Sequence, residues 1–333
     1  MELIQILPKE EANNAIVVAP VSSGEIISSG SAFIEANTIE SSLEEIRSKH
    51  IIPVFIKDNE PLISQADFIQ ATLEVTADVF SSETILKPNV RLSHPIKGRI
   101  PEAKDKPAIQ LQEHEKTLYY ERMAFLIEIP TIYDEIDGSR LSLTIGGVKA
   151  LNQDNLYNKK GADEHFKIFI GFQNKVCTNL CVWTDGYMSD LKVTSIGQLR
   201  ACIRSLLENY NAPYHLTMMR HFEEHSLTEQ QFALLIGRCR MYQNLPNTMQ
   251  KEISPLLFGD NQISAVVKDY YRNQSFCKNE DGTISLWRLY NLLTGSNKST
   301  YIDNFLDRSV NAYHFVEQLK HALQNKQTSW FLN

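Results

Sequence analysis

The sequence predicts an α+β fold: an antiparallel sheet of about four or more strands, covered by a C-terminal set of five to six helices, with a small N-terminal helical region. Two observations carry this prediction. Residues 165–183, HFKIFIGFQNKVCTNLCVW, form the longest nearly charge-free run, with Lys167 and Lys175 as its only charges. Phe166, Ile168, Ile170 and Phe172 alternate there with Lys167, Phe169, Gly171 and Gln173, the period of a pleated strand. Second, strand-like patterns precede this run and only helical patterns follow it. Both faces of the run are apolar enough for a central strand pair covered on two sides.

Taken in order, residues 1–32 are weakly patterned and rich in Ser, Glu and Ala, and read as a mobile tail. Region 33–80 reads as helix–strand–helix. Asn37–Thr38 caps a helix to about Lys49, with Ile39, Leu43 and Ile46 on one face. A short strand over 51–56 ends in the turn 57–61. Ser64 with Asp67 opens a second helix to about Phe80. Between 81 and 116 the pattern is lost, and Pro88, Pro95, Pro101 and Pro107 make this a basic surface loop. Region 117–186 is the expected sheet core, with strands at 124–129 and 141–148 and the pair over 165–183. Pro130, the acidic group Asp134, Glu135 and Asp137, and Gly138 lie in the connection between the first two. In that group, three carboxylates on one loop are a hard-cation pattern, although acidic loops are usually just solvated.

From 187 to 333 the chain reads as a helical half packed on the sheet. Thr194 and Ser195 precede Ile196, Leu199, Ile203, Leu206 and Tyr210, spaced at the helical period. Pro213 starts a second helix to about His225. Ser226 with Glu229 opens a third, whose buried stripe is Phe232, Leu235, Ile236 and Cys239. Asp260 caps a fourth. Thr283 opens a fifth, closed at Gly295, and a last helix starts near Arg308.

The totals bound the function. A chain of 333 residues with 43% hydrophobic and 22% charged residues is globular rather than fibrous or disordered. No run approaches the ~18–20 apolar residues of a membrane span. Five cysteines, an odd number, and an N-terminus without a basic-then-apolar pattern predict a cytoplasmic protein. The net charge of −7 is uneven. Acidic side chains outnumber basic ones more than three to one over 1–80, whereas 87–106 holds six basic residues against two acidic ones. Arg91, Lys97, Arg99, Lys104 and Lys106 are therefore the candidate nucleic-acid contacts, centred on 97–99. The acidic total argues against tight binding to duplex DNA.

Other candidates are weaker. His221, Glu224 and His225 match H-x-x-E-H, in which two His one helical turn apart hold Zn²⁺ beside a Glu base. The pattern is short and built of common residues. Trp287, Tyr290, Asn291 and Thr294 share one face of the fifth helix and form a candidate stacking face, although such stripes usually belong to a core. Cys177 and Cys181 lie about 13 Å apart if in one strand, at ~3.3 Å per residue, too far for one zinc. No G-x-S-x-G, Walker-type or G-x-G-x-x-G pattern is present. No cofactor is expected.

Residues 176–179, Arg220–His221 and Trp287-x-x-Tyr290–Asn291-x-x-Thr294 recur in this order in a phage- and plasmid-borne bacterial family known as a domain of unknown function, which the chain resembles over about 141–325. The stretches 94–102 and 114–122 resemble a narrower relative carried on mobile elements of gut anaerobes, which extends the resemblance to most of the chain. The resemblance implies a protein of mobile elements and carries over no catalytic role. The leading expectation is a non-enzymatic protein that binds single-stranded nucleic acid through the basic loop. The alternatives are a zinc-dependent hydrolase on His221, Glu224 and His225, and an interaction protein whose partner meets the acidic N-terminal region. No membrane is expected as a partner.

Overall fold

A computed structural model describes residues 32–50, 52–53, 63–103, 105–154 and 163–333. The expected tail, most of the short strand over 51–56, its turn over 57–61, and Lys104 lie outside the described residues.

The α+β prediction holds. Eight strands form one antiparallel sheet: β1 (Ile39–Ser41), β2 (Ile52–Pro53), β3 (Asn89–Arg99), β4 (Lys116–Ile136), β5 (Ser139–Ala150), β6 (Glu164–Asn174), β7 (Leu180–Cys181) and β8 (Tyr187–Val193). Their order is β1-β3-β4-β5-β6-β7, with β2 on β3 and β8 on β6. Helices α1 (Leu43–Lys49) and α2 (Gln65–Val79) precede β3, and the four-residue α3 (Leu151–Asp154) follows β5. The C-terminal half contributes α4 (Ile196–Asn209), α5 (Ala212–Glu223), α6 (Glu229–Tyr242), α7 (Asn247–Gln250), α8 (Asp260–Arg272), α9 (Leu286–Ser296) and α10 (Ile302–Asn325). A two-stranded sheet, β9 (Ser226–Leu227) with β10 (Ile284–Ser285), ties α6 to α9.

The pleat of β6 sorts two cores. Phe166, Ile168, Ile170 and Phe172 join Phe125, Ile127, Leu143 and Ile145 in a large core beneath α2, α4, α5 and the helical half. Phe169 joins Ala124, Leu126, Val148 and Ala150 on the other face, covered by Phe33, Ile34 and the first turns of α10 through Ile302, Phe305 and Leu306. Gly147 is required in β5. A Cβ there would lie 2.5 Å from the Phe68 ring and 2.8 Å from the Lys167 carbonyl. Its absence lets Phe68 of α2 seat edge-on between Phe125 and Phe166. Ile170, 1% exposed, sits mid-strand in the large core. Ile170→Ala is expected to cost about 2–5 kcal/mol in urea unfolding. An unchanged midpoint would contradict the central place of β6.

Several local expectations change. The loop expected over 81–116 contains β3, eleven residues long and paired with β4 from Asn89–Leu126 to Arg99–Lys116. Its alternation is hidden by Pro95 and by His94, whose φ of +59° interrupts the pairing. The connection around Pro130 belongs to β4, with a register shift between Ile129 and Tyr133. Asp137 (φ +47°) and Gly138 (φ +69°) make the two-residue turn to β5, where both positions need positive φ. Residues 39–41 pair with β3 rather than starting α1, and Ser42 is the cap. Thr228, not Ser226, caps α6 with Gln231, because 226–227 pair with β10. Ser285 caps α9, which runs past Gly295. α10 starts at Ile302, a turn and a half before Arg308. The Ser64–Asp67 box and the Ser195 cap are found as read.

Candidate functional site

The four basic candidates among the described residues, Arg91, Lys97, Arg99 and Lys106, do not form one surface. Arg99 is 1% exposed, and its guanidinium donates inward to the Lys106 carbonyl. Arg91 spends its donors on Thr38, Nε to Oγ1 at 3.1 Å and Nη2 to the carbonyl at 3.2 Å, with Glu40 at 4.0 Å. Lys106 pairs with Glu115. Lys97 stays exposed on β3. The correction follows from tertiary partners rather than from the pleat: Thr38 and the Lys106 carbonyl take up Arg91 and Arg99, whereas a loop would present its cations together.

A different group gathers at the β3–β4 side of the sheet. Tyr301, at the start of α10, is 48% exposed. The His94 ring meets it edge-on, centroids 5.8 Å apart. The Arg122 guanidinium carbon lies 5.7 Å from the Tyr301 ring centroid, and its Nη1 is 3.3–3.4 Å from the two His94 ring nitrogens. Asp303 approaches the same Nη1 at 3.7 Å. Arg122 Nε and Asp303 Oδ1 are buried without a hydrogen-bond partner among the described residues, so bonding capacity is left unspent beside the ring. The strip continues beneath α10. Lys167 Nζ donates to the Asp303 carbonyl (2.7 Å) and to Asp307 (2.6 Å), and the Tyr187 hydroxyl donates to Asp307 at 2.6 Å. Burial, then Asp307, pushes the Tyr187 phenol up, which keeps it a neutral donor.

Sequence reasoning missed this group as a site. Its members come from three distant segments, and each one alone is an ordinary surface residue. The signal was present in another form: His94 and Arg122 belong to the two stretches, 94–102 and 114–122, that carry the narrower resemblance.

Trp287, Tyr290 and Asn291 are buried, Trp287 completely, so α9 offers no stacking face. The Tyr290 ring packs against Phe222, Tyr313 and Trp287. Asn291 joins the motif 176–179 to α9. Its Oδ1 accepts from Asn174 Nδ2 (3.0 Å), its carbonyl from Asn179 Nδ2 (2.8 Å), and its own Nδ2 donates to the Trp287 carbonyl (3.0 Å). Lys298 donates to Thr178 Oγ1 at 2.8 Å and to the Cys177 carbonyl. Thr178 carries the positive φ, +56°, of the β6–β7 turn. Burial pushes the Cys177 thiol up to about 11 and lowers Lys298. A neutral thiol on this latch is a poor nucleophile, and the motif reads as the clamp that holds the sheet to α9.

The H-x-x-E-H pattern is split by the end of α5 at Glu223. His221 Nδ1 lies 3.1 Å from Glu224 Oε2, while the His225 carbonyl, outside the helix, accepts from Leu286 N at 2.8 Å. No group of three metal-ligating side chains is found among the described residues. The acidic tip of the β4–β5 hairpin is engaged by arginines: Arg220 pairs with Asp134 and Arg288 with Asp137.

The model of a family described as a domain of unknown function with a B. Theta gene description, DUF3871, matches residues 11–332. The chain belongs to the DUF3871 family. No curated protein and no solved structure matches it. His94, Arg122 and Tyr301, like the Asn291 clamp, lie inside the DUF3871 match, so the group and the clamp both fall within the family's own extent. No helix of the described residues is long and apolar enough to cross a membrane.

Proposed function

We propose that this DUF3871 protein is a non-enzymatic binder of single-stranded nucleic acid, which it takes along β3 and the start of α10. The observation that carries this reading is Tyr301, a half-exposed ring beside an imidazole and a guanidinium that touch each other. An unpaired base stacks on such a ring whatever its identity, and cations beside it meet the flanking phosphates. The acceptor is therefore a strand running past Tyr301 and Arg122, in place of the extended basic loop. Asp303 offsets part of the Arg122 charge, so binding is expected to be modest and sensitive to salt. Carriage on mobile elements belongs to the same reading; it rests on the resemblance of 94–102 and 114–122, and recombination or conjugation genes beside this one would support it.

Titration of the full chain with oligothymidine at two salt concentrations tests the proposal. Tyr301→Ala should weaken binding about 5- to 150-fold, the worth of ~1–3 kcal/mol of base stacking. Arg122→Ala should flatten the salt slope by about 0.7. No binding at low salt, or binding untouched by Tyr301→Ala, would overturn it.

A further inference from the structure

The turn between α8 and α9 holds a second site, independent of the nucleic-acid reading. In an EF-hand the twelve-residue loop supplies oxygens from positions 1, 3, 5, 7 and 9 and a bidentate Glu at 12, with Gly at 6 for the sharp turn. Counting from Cys277 places Asn279 at 3, Asp281 at 5, Gly282 at 6, Thr283 at 7, Ser285 at 9 and Arg288 at 12. Gly282 has φ +83°, as that turn requires. Ile284, at position 8, pairs with Leu227 of the turn before α6, so two helix–turn–helix units are joined by a short β-bridge. Inside the loop, Asp281 Oδ1 accepts from Thr283 N (2.9 Å) and Oγ1 (2.7 Å), and Gly282 N donates to the Asn279 carbonyl (3.0 Å).

The loop departs from the pattern in four ways. α8 ends at Arg272, five residues before position 1. Cys277 offers only its carbonyl. The Thr283 carbonyl accepts from Asn279 N at 2.8 Å. Position 12 is a cation rather than a carboxylate. Arg288 folds back into the loop, where Nη1 donates to the Cys277 carbonyl (3.1 Å) and to Asn279 Oδ1 (2.8 Å). Its Nε donates to Asp137 Oδ2 (3.2 Å), a carboxylate brought by the β4–β5 turn.

We propose that the α8–α9 turn is a cation loop of EF-hand type whose cation is part of the chain: the Arg288 guanidinium takes the place of a divalent ion. Oxygens of positions 1 and 3 face it, and Asp137 from the sheet supplies the remaining negative charge. A metal-loaded loop opens and closes with ion concentration. A guanidinium cannot leave, so this helix pair is held in one arrangement and fixed to the sheet.

The test uses the full chain, with terbium luminescence excited through Trp287 and thermal unfolding with and without millimolar calcium. Wild type should take up neither ion at the loop. Arg288→Glu places a carboxylate at position 12 and should gain terbium emission and a calcium-dependent rise of about 3 °C or more in the unfolding midpoint. Asn279→Ala added to that variant should abolish the gain; a gain that survives it would overturn the assignment. Should Arg288→Glu fail to fold, Arg288→Gln keeps the question open to measurement: its midpoint should fall below wild type and be partly restored by calcium. Stoichiometric terbium on the wild type, or Arg288 variants indifferent to calcium, would also overturn the proposal.

Discussion

Trp287→Ala is expected to destabilise the protein by about 3–5 kcal/mol, enough to leave much of it unfolded at physiological temperature. The side chain is fully buried on α9, 6.0 Å from the Tyr290 ring, in the core that also holds Phe222 and Tyr313. Removing it opens a cavity that the clamp around Asn291 cannot close, since Asn291 Nδ2 is tied to the Trp287 carbonyl itself. Urea unfolding followed by circular dichroism measures the loss. The contrast with Tyr301→Ala separates core from surface: that substitution should move the midpoint little and nucleic-acid affinity much. A stable Trp287→Ala protein with impaired binding would restore α9 as a stacking face and remove Tyr301 from that role.

Glu164→Ala should cost a similar ~3–5 kcal/mol, because it strands a buried ammonium. Lys149 has no exposed side-chain surface, pairs with Glu164, lies 3.9 Å from Asp154 Oδ2 and sits 4.1 Å above the Phe166 ring. Glu164 also accepts from Ile63 N at 2.7 Å, which ties the start of α2 to the sheet. Burial pushes the Glu164 carboxyl up, and Lys149 pulls it back down, so each charge depends on the other. Lys149→Met combined with Glu164→Gln removes both charges while an amide oxygen remains to accept from Ile63 N. That double variant should therefore lie within about 1–2 kcal/mol of wild type. Thermal and urea unfolding of the three proteins checks the pair. A Glu164→Ala protein as stable as the double variant would mean that Lys149 does not carry a buried charge.

Much of the architecture was legible without coordinates. The alternation in β6 follows from hydrophobic side chains at every second position, a local property that needs no partner to be read. The caps Ser64 and Ser195 are equally local, since each satisfies an N–H three residues away. β3 was not legible: Pro95, the left-handed His94 and the interspersed cations hide its pattern, and pairing with β4, β1 and β2 holds it extended. The H-x-x-E-H spacing was legible, but a spacing along the chain cannot tell whether a third ligand is brought to it, and no group of three metal-ligating side chains is found among the described residues.

The sequence by itself determined the strand-then-helix order, the core face of β6 and the helical period of the C-terminal half, all of which repeat within a few residues. Tertiary structure alone decided which polar groups act together. His94, Arg122 and Tyr301 meet because α10 begins over the β3–β4 side of the sheet, and Arg288 finds Asp137, 151 residues away, because the hairpin turn docks on the α8–α9 loop. Side-chain periodicity is set by neighbours along the chain, whereas a site is set by distances across it, and these follow only once the cores have closed.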